Sequence, residues 1–161
     1  MNFKSLFSKC FGKLRSVPEV EKVVEEVKSD NFIYAGVTEL GTLYVDIENT
    51  SIVQKDGQQF LAVYAKEKFT DTVFSKLLRK DANLKNVVGS FTLYLFDNTC
   101  SNYCVAASYL IDKDENICLD YGSSLKMKEL TAKDTAMLNA YTLCLKALEL
   151  KQNEQDAGTK I

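Results

Sequence analysis

The sequence contains no histidine and no tryptophan, and its only proline is Pro18. The absence of histidine excludes Ser-His and Cys-His catalytic pairs and every metal site that uses a histidine ligand. Gly57, Gly89 and Gly122 stand alone rather than in the glycine-rich loop that cradles a phosphate group. Because most common enzyme chemistries lack a necessary residue, we predict a protein that is not an enzyme and uses no cofactor.

Basic residues are concentrated at the beginning of the chain. Residues 1–18 carry four bases and no acid, although the 161-residue chain as a whole has a net charge of −2. The remainder of the chain is therefore acidic and lacks the broad basic face that nucleic-acid binding requires. We predict that the protein has no nucleic-acid partner.

Residues 2–17 are typical of a basic amphipathic helix, in which bases flank one apolar face. The candidate contacts with a membrane or a partner are Phe3, Lys4, Leu6, Phe7, Lys9, Phe11, Lys13, Leu14 and Arg15. Three interpretations stay open: weak binding to an anionic membrane, targeting to an organelle, and docking on this domain or on a partner. Residues 19–30 form a short amphipathic connector, so residues 1–30 are predicted as one N-terminal helical segment.

This N-terminal segment has no continuous apolar run of the kind found in secretory signal peptides. It is also too short and too charged to span a bilayer. We therefore expect a cytoplasmic or membrane-associated protein.

From Phe32 onward, apolar residues recur with a period of two, which predicts strands. Asp56-Gly57 between two such runs predicts a hairpin with a two-residue type I′ turn. The connections between neighbouring strands are short, which antiparallel pairing requires and parallel pairing forbids. We predict an α+β fold: residues 31–151 form a five- to six-stranded antiparallel meander sheet with a C-terminal helix on one face, and residues 152–161 form a polar tail.

The C-terminal helix is predicted from Thr131 to about Lys151, and Thr131 with Asp134 resembles a capping box. Apart from one narrow polar stripe, its surface is apolar, whereas a surface helix needs an apolar arc of only about 100°. We therefore expect it to pack on the sheet and also on a second partner, either another segment or a second copy. The candidate dimer face is the stripe Ala136, Ala140, Leu143, Ala147 and Leu150.

Carboxylates offer one remaining route to catalysis. Asp46, Asp97 and Asp120 are candidates for general acid–base work. No pattern in the sequence places two of them together, so a small enzyme is a minor hypothesis.

The cysteines allow several interpretations. Cys100, Cys104, Cys118 and Cys144 admit a four-thiolate zinc site, a disulfide or free buried thiols, although the paired Cys-x2-Cys knuckles of zinc sites are missing. Spacing alone does not decide among these alternatives.

Several short patterns between residues 31 and 150 resemble the surface-adhesin protein E family of small bacterial domains. They are Phe32-Ile33-Tyr34, Gly41–Asp46 followed by Ser51-Ile52, Val63–Lys66, Leu95–Asp97 with Cys100, Tyr109 before the Asp112–Asn116 turn, and Cys144 in the closing helix. The resemblance implies an antiparallel sheet with a C-terminal helix tied to it by a disulfide, here Cys100 with Cys144. It also implies a non-enzymatic protein-binding function, and a location at the cell surface if export follows a non-standard route.

Two functional hypotheses follow. The favoured one is a non-catalytic interaction domain that binds an unidentified protein partner and also forms a homodimer. The alternative is a cytosolic, membrane-tethered module whose basic N-terminal helix rests on anionic lipid.

We predict that the full-length protein co-sediments with anionic liposomes more strongly than a shortened chain that begins at Pro18. The difference should fall as salt rises, because charge attraction is screened within roughly 8–10 Å. Neutral liposomes provide the control. Equal recovery of both chains from anionic vesicles would contradict the membrane interpretation and leave a docking helix.

Overall fold

The computed structural model describes residues 15–16 and 32–158, apart from the side chains of Arg15, Ser16 and Leu77, and confirms the predicted α+β class. The strands are β1 (Arg15–Ser16), β2 (Phe32–Val37), β3 (Gly41–Asp46), β4 (Ser51–Lys55), β5 (Gln58–Phe69), β6 (Gly89–Asp97), β7 (Asn102–Ile111) and β8 (Ile117–Glu129). The helices are α1 (Asp71–Lys80), a short 3-10 helix (Ala82–Leu84) and α2 (Thr135–Gly158). The strands belong to one sheet, and α2 packs on one of its faces.

Strand β5 lies at the centre of the sheet. One edge of β5 pairs with β6, from Phe60 opposite Asp97 to Lys68 opposite Gly89. Its other edge pairs first with β4 and then with β3, so that β3 and β4 lie end to end. Strands β2 to β8 are all antiparallel to their neighbours, which confirms the predicted antiparallel sheet. These seven strands exceed the five to six predicted, because β3 and β4 share one edge of β5 instead of pairing with each other.

Asp46 forms the corner between β3 and β4. Its buried carboxylate accepts hydrogen bonds from the backbone N–H groups of Glu48 and Asn49 and from the Asn49 side-chain amide, the last at 2.7 Å. The Thr50 hydroxyl donates to the Asp46 carbonyl at 3.1 Å. These bonds hold the short loop that lets the chain leave β3 and resume pairing with β5 as β4.

Both faces of β5 are buried, because apolar residues occupy successive positions from Phe60 to Ala65. The first face, which α2 covers, carries Leu61, Val63 and Ala65. The second face carries Ala62 and Tyr64. Near its margin Phe32 packs edge-to-face on Phe91 at 5.7 Å, and the Lys66 ammonium lies 4.3 Å from the Phe32 ring.

Helix α2 starts later and ends later than the sequence predicts. The Asp134 carboxylate accepts hydrogen bonds from the N–H and hydroxyl groups of Thr131, so residues 131–134 form a separate turn. The Asp134 carbonyl accepts the first helical bond, from Leu138, which makes Asp134 the N-cap. The helix continues to Gly158, so the predicted polar tail is helical over residues 152–158.

Small residues allow α2 to lie very close to β2. A side chain built on Gly36 would come within 3.0 Å of Ala136, and the Asn139 amide donates a hydrogen bond to the Ala35 carbonyl at 2.9 Å. Ala136 and Ala140 are buried at this contact. The helix is therefore anchored on β2 by close backbone approach as well as by its large apolar side chains.

Other local predictions agree with the structure. Asp56 and Gly57 have φ values of 50° and 75°, the positive values that a type I′ turn requires. The Thr70 hydroxyl accepts a hydrogen bond from the Val73 N–H at the start of α1, the role that threonine favours at a helix N-terminus. Strand β8 continues as far as Glu129.

The N-terminal prediction is wrong at one point that the structure describes. Arg15 and Ser16 form strand β1, which pairs in parallel with Val53 and Gln54 of β4, and not the end of a helix. Pairing with the open edge of β4 satisfies backbone groups that a helix end would leave free. The other residues of the predicted helices, 2–14 and 17–30, lie outside the described residues.

We predict that Gly89→Ala lowers the free energy of unfolding by about 3 kcal/mol. A side chain at Gly89 would lie 2.1 Å from the Glu67 carbonyl oxygen of β5, a backbone atom that cannot move without disturbing the sheet. Urea unfolding followed by circular dichroism measures the change. Gly158→Ala, where no atom lies within 4 Å of the added carbon, is the control and should be close to neutral.

Candidate functional site

The first face of the sheet is interrupted by polar residues. Between the cluster under α2 and a smaller apolar cluster at Leu84, Val87 and Leu110 lies a strip that we call the polar band. The polar band consists of Glu67 on β5, Ser90 and Thr92 on β6, and Ser108 on β7. Strand pairing places Glu67 opposite Ser90 and Thr92 opposite Ser108, so the band crosses three neighbouring strands.

Glu67 is the buried carboxyl group of the polar band, with 6% of its surface exposed. The hydroxyl of Thr38, in the turn between β2 and β3, donates a hydrogen bond to it. Burial disfavours the charged form and raises the pKa of Glu67 above its usual value, although the bond from Thr38 acts in the opposite direction. The group is thus held in place by the β2–β3 turn and is easier to protonate than a surface glutamate.

The other members of the polar band support hydrogen bonding along its length. The Thr92 and Ser108 hydroxyls lie 3.1 Å apart and share a hydrogen bond across β6 and β7. Tyr94, one step further along β6, packs edge-to-face on Tyr103 at 5.8 Å. Burial, followed by the nearby charge of Glu67, raises the pKa of Tyr94, so its phenol stays neutral and can donate a hydrogen bond.

A groove of about 650 Å³ lies over the polar band, bounded by α1, the β2–β3 turn and β8. We call it the sheet groove. Apolar side chains of Leu40, Phe69 and Val73 line its walls, and Tyr121 lines the side formed by β8. A second hollow of about 600 Å³ continues from it toward the first turn of α2 and shares Glu67 and Tyr94 with it. The volume is typical of binding sites for small molecules or peptide side chains.

Lysines surround the entrance to the sheet groove. Lys76 and Lys80 come from α1, Lys128 from β8, and Lys133 precedes α2 at the neighbouring hollow. All four side chains are exposed. The charge arrangement is therefore a buried carboxyl group at the floor with basic groups at the rim, and Glu39 is the exposed acid among them.

The three carboxylates named as catalytic candidates all accept hydrogen bonds from nearby backbone N–H groups. Asp46 holds the β3–β4 corner, and Asp120 on β8 accepts a hydrogen bond from the Gly122 N–H at 2.8 Å. Asp97 is partly desolvated, but hydrogen bonds from Asn102, Ser101 and their neighbours hold its pKa below the usual value. A general acid needs a raised pKa, so Asp97 is poorly suited to that role.

The predicted dimer stripe is divided by the structure. Ala136 and Ala140 are buried against the sheet, where their small size lets the helix approach β2. Leu143 and Ala147 are half-buried, with Leu143 packed on the first core cluster, and Leu150 is 63% exposed. Ala136, Ala140 and Leu143 therefore pack within one chain, and dimerisation through this stripe stays a prediction.

Cys100 and Cys144 lie in the same region of the core and are free thiols in the structure, as are Cys104 and Cys118. Burial raises the pKa of Cys144 to about 12 and, together with the charge of Asp97, raises that of Cys100 to about 11. Both thiols are therefore protonated and slow to react at neutral pH. The disulfide implied by the family resemblance stays a prediction.

The candidate membrane contacts between Phe3 and Leu14 lie outside the described residues, and Arg15 belongs to β1. Neither of the described helices α1 and α2 combines the length and the hydrophobicity needed to cross a membrane. Within residues 15–16 and 32–158, acidic and cysteine side chains do not gather in threes around a position where a metal ion could bind.

Sequence reasoning missed the residues of the sheet groove. A signal for them exists in the strand pattern. Along β5, the first-face positions Leu61, Val63 and Ala65 are apolar, and Glu67 takes the next position in the same alternation. Along β6, Ser90 and Thr92 likewise occupy first-face positions, whereas the second-face residues between and after them are apolar. Polar residues at core-facing positions of strands buried on both faces therefore marked the site.

We predict that Glu67→Gln makes the protein more stable than the wild type at pH 7. In the wild type the folded state favours the neutral carboxyl, so the stability associated with Glu67 is fully present below pH 4.5, its usual pKa, and is lost as pH rises through the raised pKa. Unfolding by urea at a series of pH values measures the difference, which should vanish in acid. Glu39→Gln, at an exposed acid of the same groove, is the control. A stability difference that does not change with pH would contradict this account.

No known protein family, curated protein or solved structure matches this chain. The resemblance to the surface-adhesin protein E family therefore rests on its short patterns alone and stays a prediction.

Proposed function

We propose that this protein is a non-enzymatic protein-binding domain and that the partner lies in the sheet groove. The observation that carries the proposal is the polar band, a row of hydrogen-bonding groups of which Glu67, Ser90 and Thr92 are buried and Ser108 is half-buried, on a sheet face that is otherwise apolar core. The resemblance to the surface-adhesin protein E family, whose members bind other proteins without catalysing a reaction, supports the same conclusion.

Burial of Glu67, Ser90 and Thr92 has an energetic cost that apolar residues at these positions would avoid. Folding alone does not require polar groups here, since the same strands carry Leu61 and Phe96 further along. A partner that donates hydrogen bonds to the polar band would use groups that are already in place. Such preorganisation favours binding, because little ordering is needed when the partner arrives.

The groove specifies the chemistry of the partner. Its apolar walls at Leu40, Phe69 and Val73 fit an apolar side chain, and its lysine rim fits acidic groups. Glu67 at the floor accepts hydrogen bonds from an amide or amine of the bound segment. A short peptide segment with apolar and acidic side chains meets all three conditions, and its backbone supplies the N–H donors.

The runner-up function, a cytosolic module tethered to membranes, depends on residues 2–17, and the liposome experiment above tests it. The location stays part of the proposal: cytoplasmic or membrane-associated, or at the cell surface if the family resemblance holds. A protein-binding groove is compatible with each of these locations.

We predict that short random peptides displayed on phage and selected on the immobilised protein converge on apolar and acidic residues. A synthetic peptide from the selection should bind roughly tenfold more weakly to the double variant Lys76→Glu, Lys80→Glu, because two attractive charges at the rim become repulsive. Isothermal titration calorimetry on the full chain measures the change, and circular dichroism checks that α1 is retained.

The matched control is the double variant Lys85→Glu, Lys113→Glu, which changes the net charge by the same amount outside the groove. Both of these lysines are exposed, and neither lines the groove. Equal weakening by the two double variants would mean that net charge alone drives binding. That outcome, or a selection without enrichment, would contradict the proposal.

A further inference from the structure

The second face of the sheet carries a large apolar cluster that we call the second-face cluster. All of its members belong to strands β4, β5, β6 and β7. Helix α2 contributes to the cluster on the first face and not to this one. Helix α1 lines the sheet groove, and the short 3-10 helix packs through Leu84 on Leu110, both on the first face. The described helices therefore all lie on one side of the sheet.

The second-face cluster is nevertheless buried. Tyr64 is 1% exposed, and Leu93 and Leu95 are 0% exposed. Side chains stand roughly perpendicular to a sheet, so neighbours in the same sheet cover their flanks and leave their ends open. Large apolar side chains on a sheet face need a second layer of structure above them. Within residues 15–16 and 32–158, no helix or strand supplies this layer.

We propose that residues 1–14 of the same chain form this layer and lie on the second face with their apolar side chains turned toward it. The position of β1 supports this assignment. Arg15 pairs with Val53 of β4, and Val53 is a member of the second-face cluster. The chain that leads into Arg15 therefore meets the sheet at the margin of the face that needs a cover.

Residues 1–14 have suitable side chains and a suitable length. Phe3, Leu6, Phe7, Phe11 and Leu14 recur at the spacing of one helix face, and phenylalanine buries a large apolar area. A helix over residues 2–14 would be about 20 Å long, whereas β4 and β7 lie about 14 Å apart across the sheet. One helix of this length is long enough to cover the cluster from edge to edge.

Residues 17–31 are the other stretch of the chain that could cover this face, and they match it less well. They join β1 to β2, and these two strands lie on the same side of β5, next to β4 and β3. Apart from Pro18, their apolar residues are valines, and these alternate with glutamates. Because hydrophobic stabilisation grows with the apolar area buried, the phenylalanine-rich segment 1–14 gains more from this face.

Docking on the second face uses the same apolar side chains as binding to an anionic membrane. The two states therefore exclude one another, and the runner-up function would require residues 1–14 to leave the sheet. Their departure would expose the second-face cluster to water, which is unfavourable. The sheet groove lies on the first face, so the proposed function does not depend on this docking and is tested separately.

The first experiment measures how well two buried thiols are protected in the full chain. Cys104 belongs to the second-face cluster and is 1% exposed, whereas Cys144 lies under α2 and is 0% exposed. The double variant Phe7→Asp, Phe11→Asp should not dock, because docking would bury two charges among apolar side chains. Alkylation of Cys104 by iodoacetamide should then be roughly tenfold faster or more, and that of Cys144 unchanged. Peptide mass spectrometry measures both rates.

The matched control is the double variant Ser5→Asp, Ser8→Asp, which adds the same charge on the polar face of the segment. It should leave Cys104 as well protected as in the wild type. An unchanged Cys104 rate in Phe7→Asp, Phe11→Asp would overturn the proposal. An equal rise in both double variants would overturn it as well, because added charge and not loss of the apolar face would then be responsible.

The second experiment keeps the apolar face of the segment intact, so that loss of folding does not complicate its result. A photoreactive benzoylphenylalanine takes the place of Phe7 in the full chain, and irradiation links it to carbon atoms in contact with it. At low protein concentration we expect a product of monomer mass whose cross-link maps to β5, β6 or β7. The same residue at Ser5 is the control and should give little of this product.

Other occupants of the second face would give different products. Cross-links between two chains would mean that a second copy covers the face. Cross-links confined to residues 17–31, α1 or α2 would place the segment away from the second face, and the absence of cross-links would mean that it contacts no part of the domain. Each of these three results would overturn the proposal.

Discussion

The structure depends on the burial of strand β5 on both of its faces. Twelve residues span about 40 Å, and the strand pairs along both edges with strands that must follow the same path. A strand that is apolar on both sides needs cover on both sides. On the first face α2 covers Leu61, Val63 and Ala65. Further along β5, at Glu67, the same face lines the sheet groove. The arrangement of the remaining elements follows from this division.

The sheet groove lies beyond the part of the first face that α2 covers. The cluster under α2 ends near Ala65, and the next apolar cluster, at Leu84 and Leu110, packs on the same face further along. The polar band between them would be costly in a closed core, but here it forms the floor of a groove lined by lysines. The pKa of Glu67 is raised for the same reason, because burial disfavours the charged carboxylate. The features that make this region poor as core therefore make it suitable as a binding site.

The two edges of the sheet have different surroundings. At the β3–β4 side, β2 and β1 continue the sheet, and Asp46 shapes the corner that both β3 and β4 require. At the other side β8 ends the sheet with all of its residues exposed. The groove and the β8 edge share Tyr121. The groove that we propose as the binding site therefore lies directly beside the open strand.

The sequence by itself determined the fold class, the Asp56-Gly57 hairpin and the short connections of an antiparallel meander, because period and turn chemistry are properties of neighbouring residues. It did not determine where α2 begins. In the structure the Asp134 carboxylate accepts a hydrogen bond from the Thr131 N–H, so Thr131 belongs to the preceding turn and Asp134 is the N-cap of the helix. Only the tertiary structure decided that Glu67, Thr92 and Ser108 share one groove. Their meeting depends on the register between β5, β6 and β7, and register is set by contacts between residues far apart in the chain.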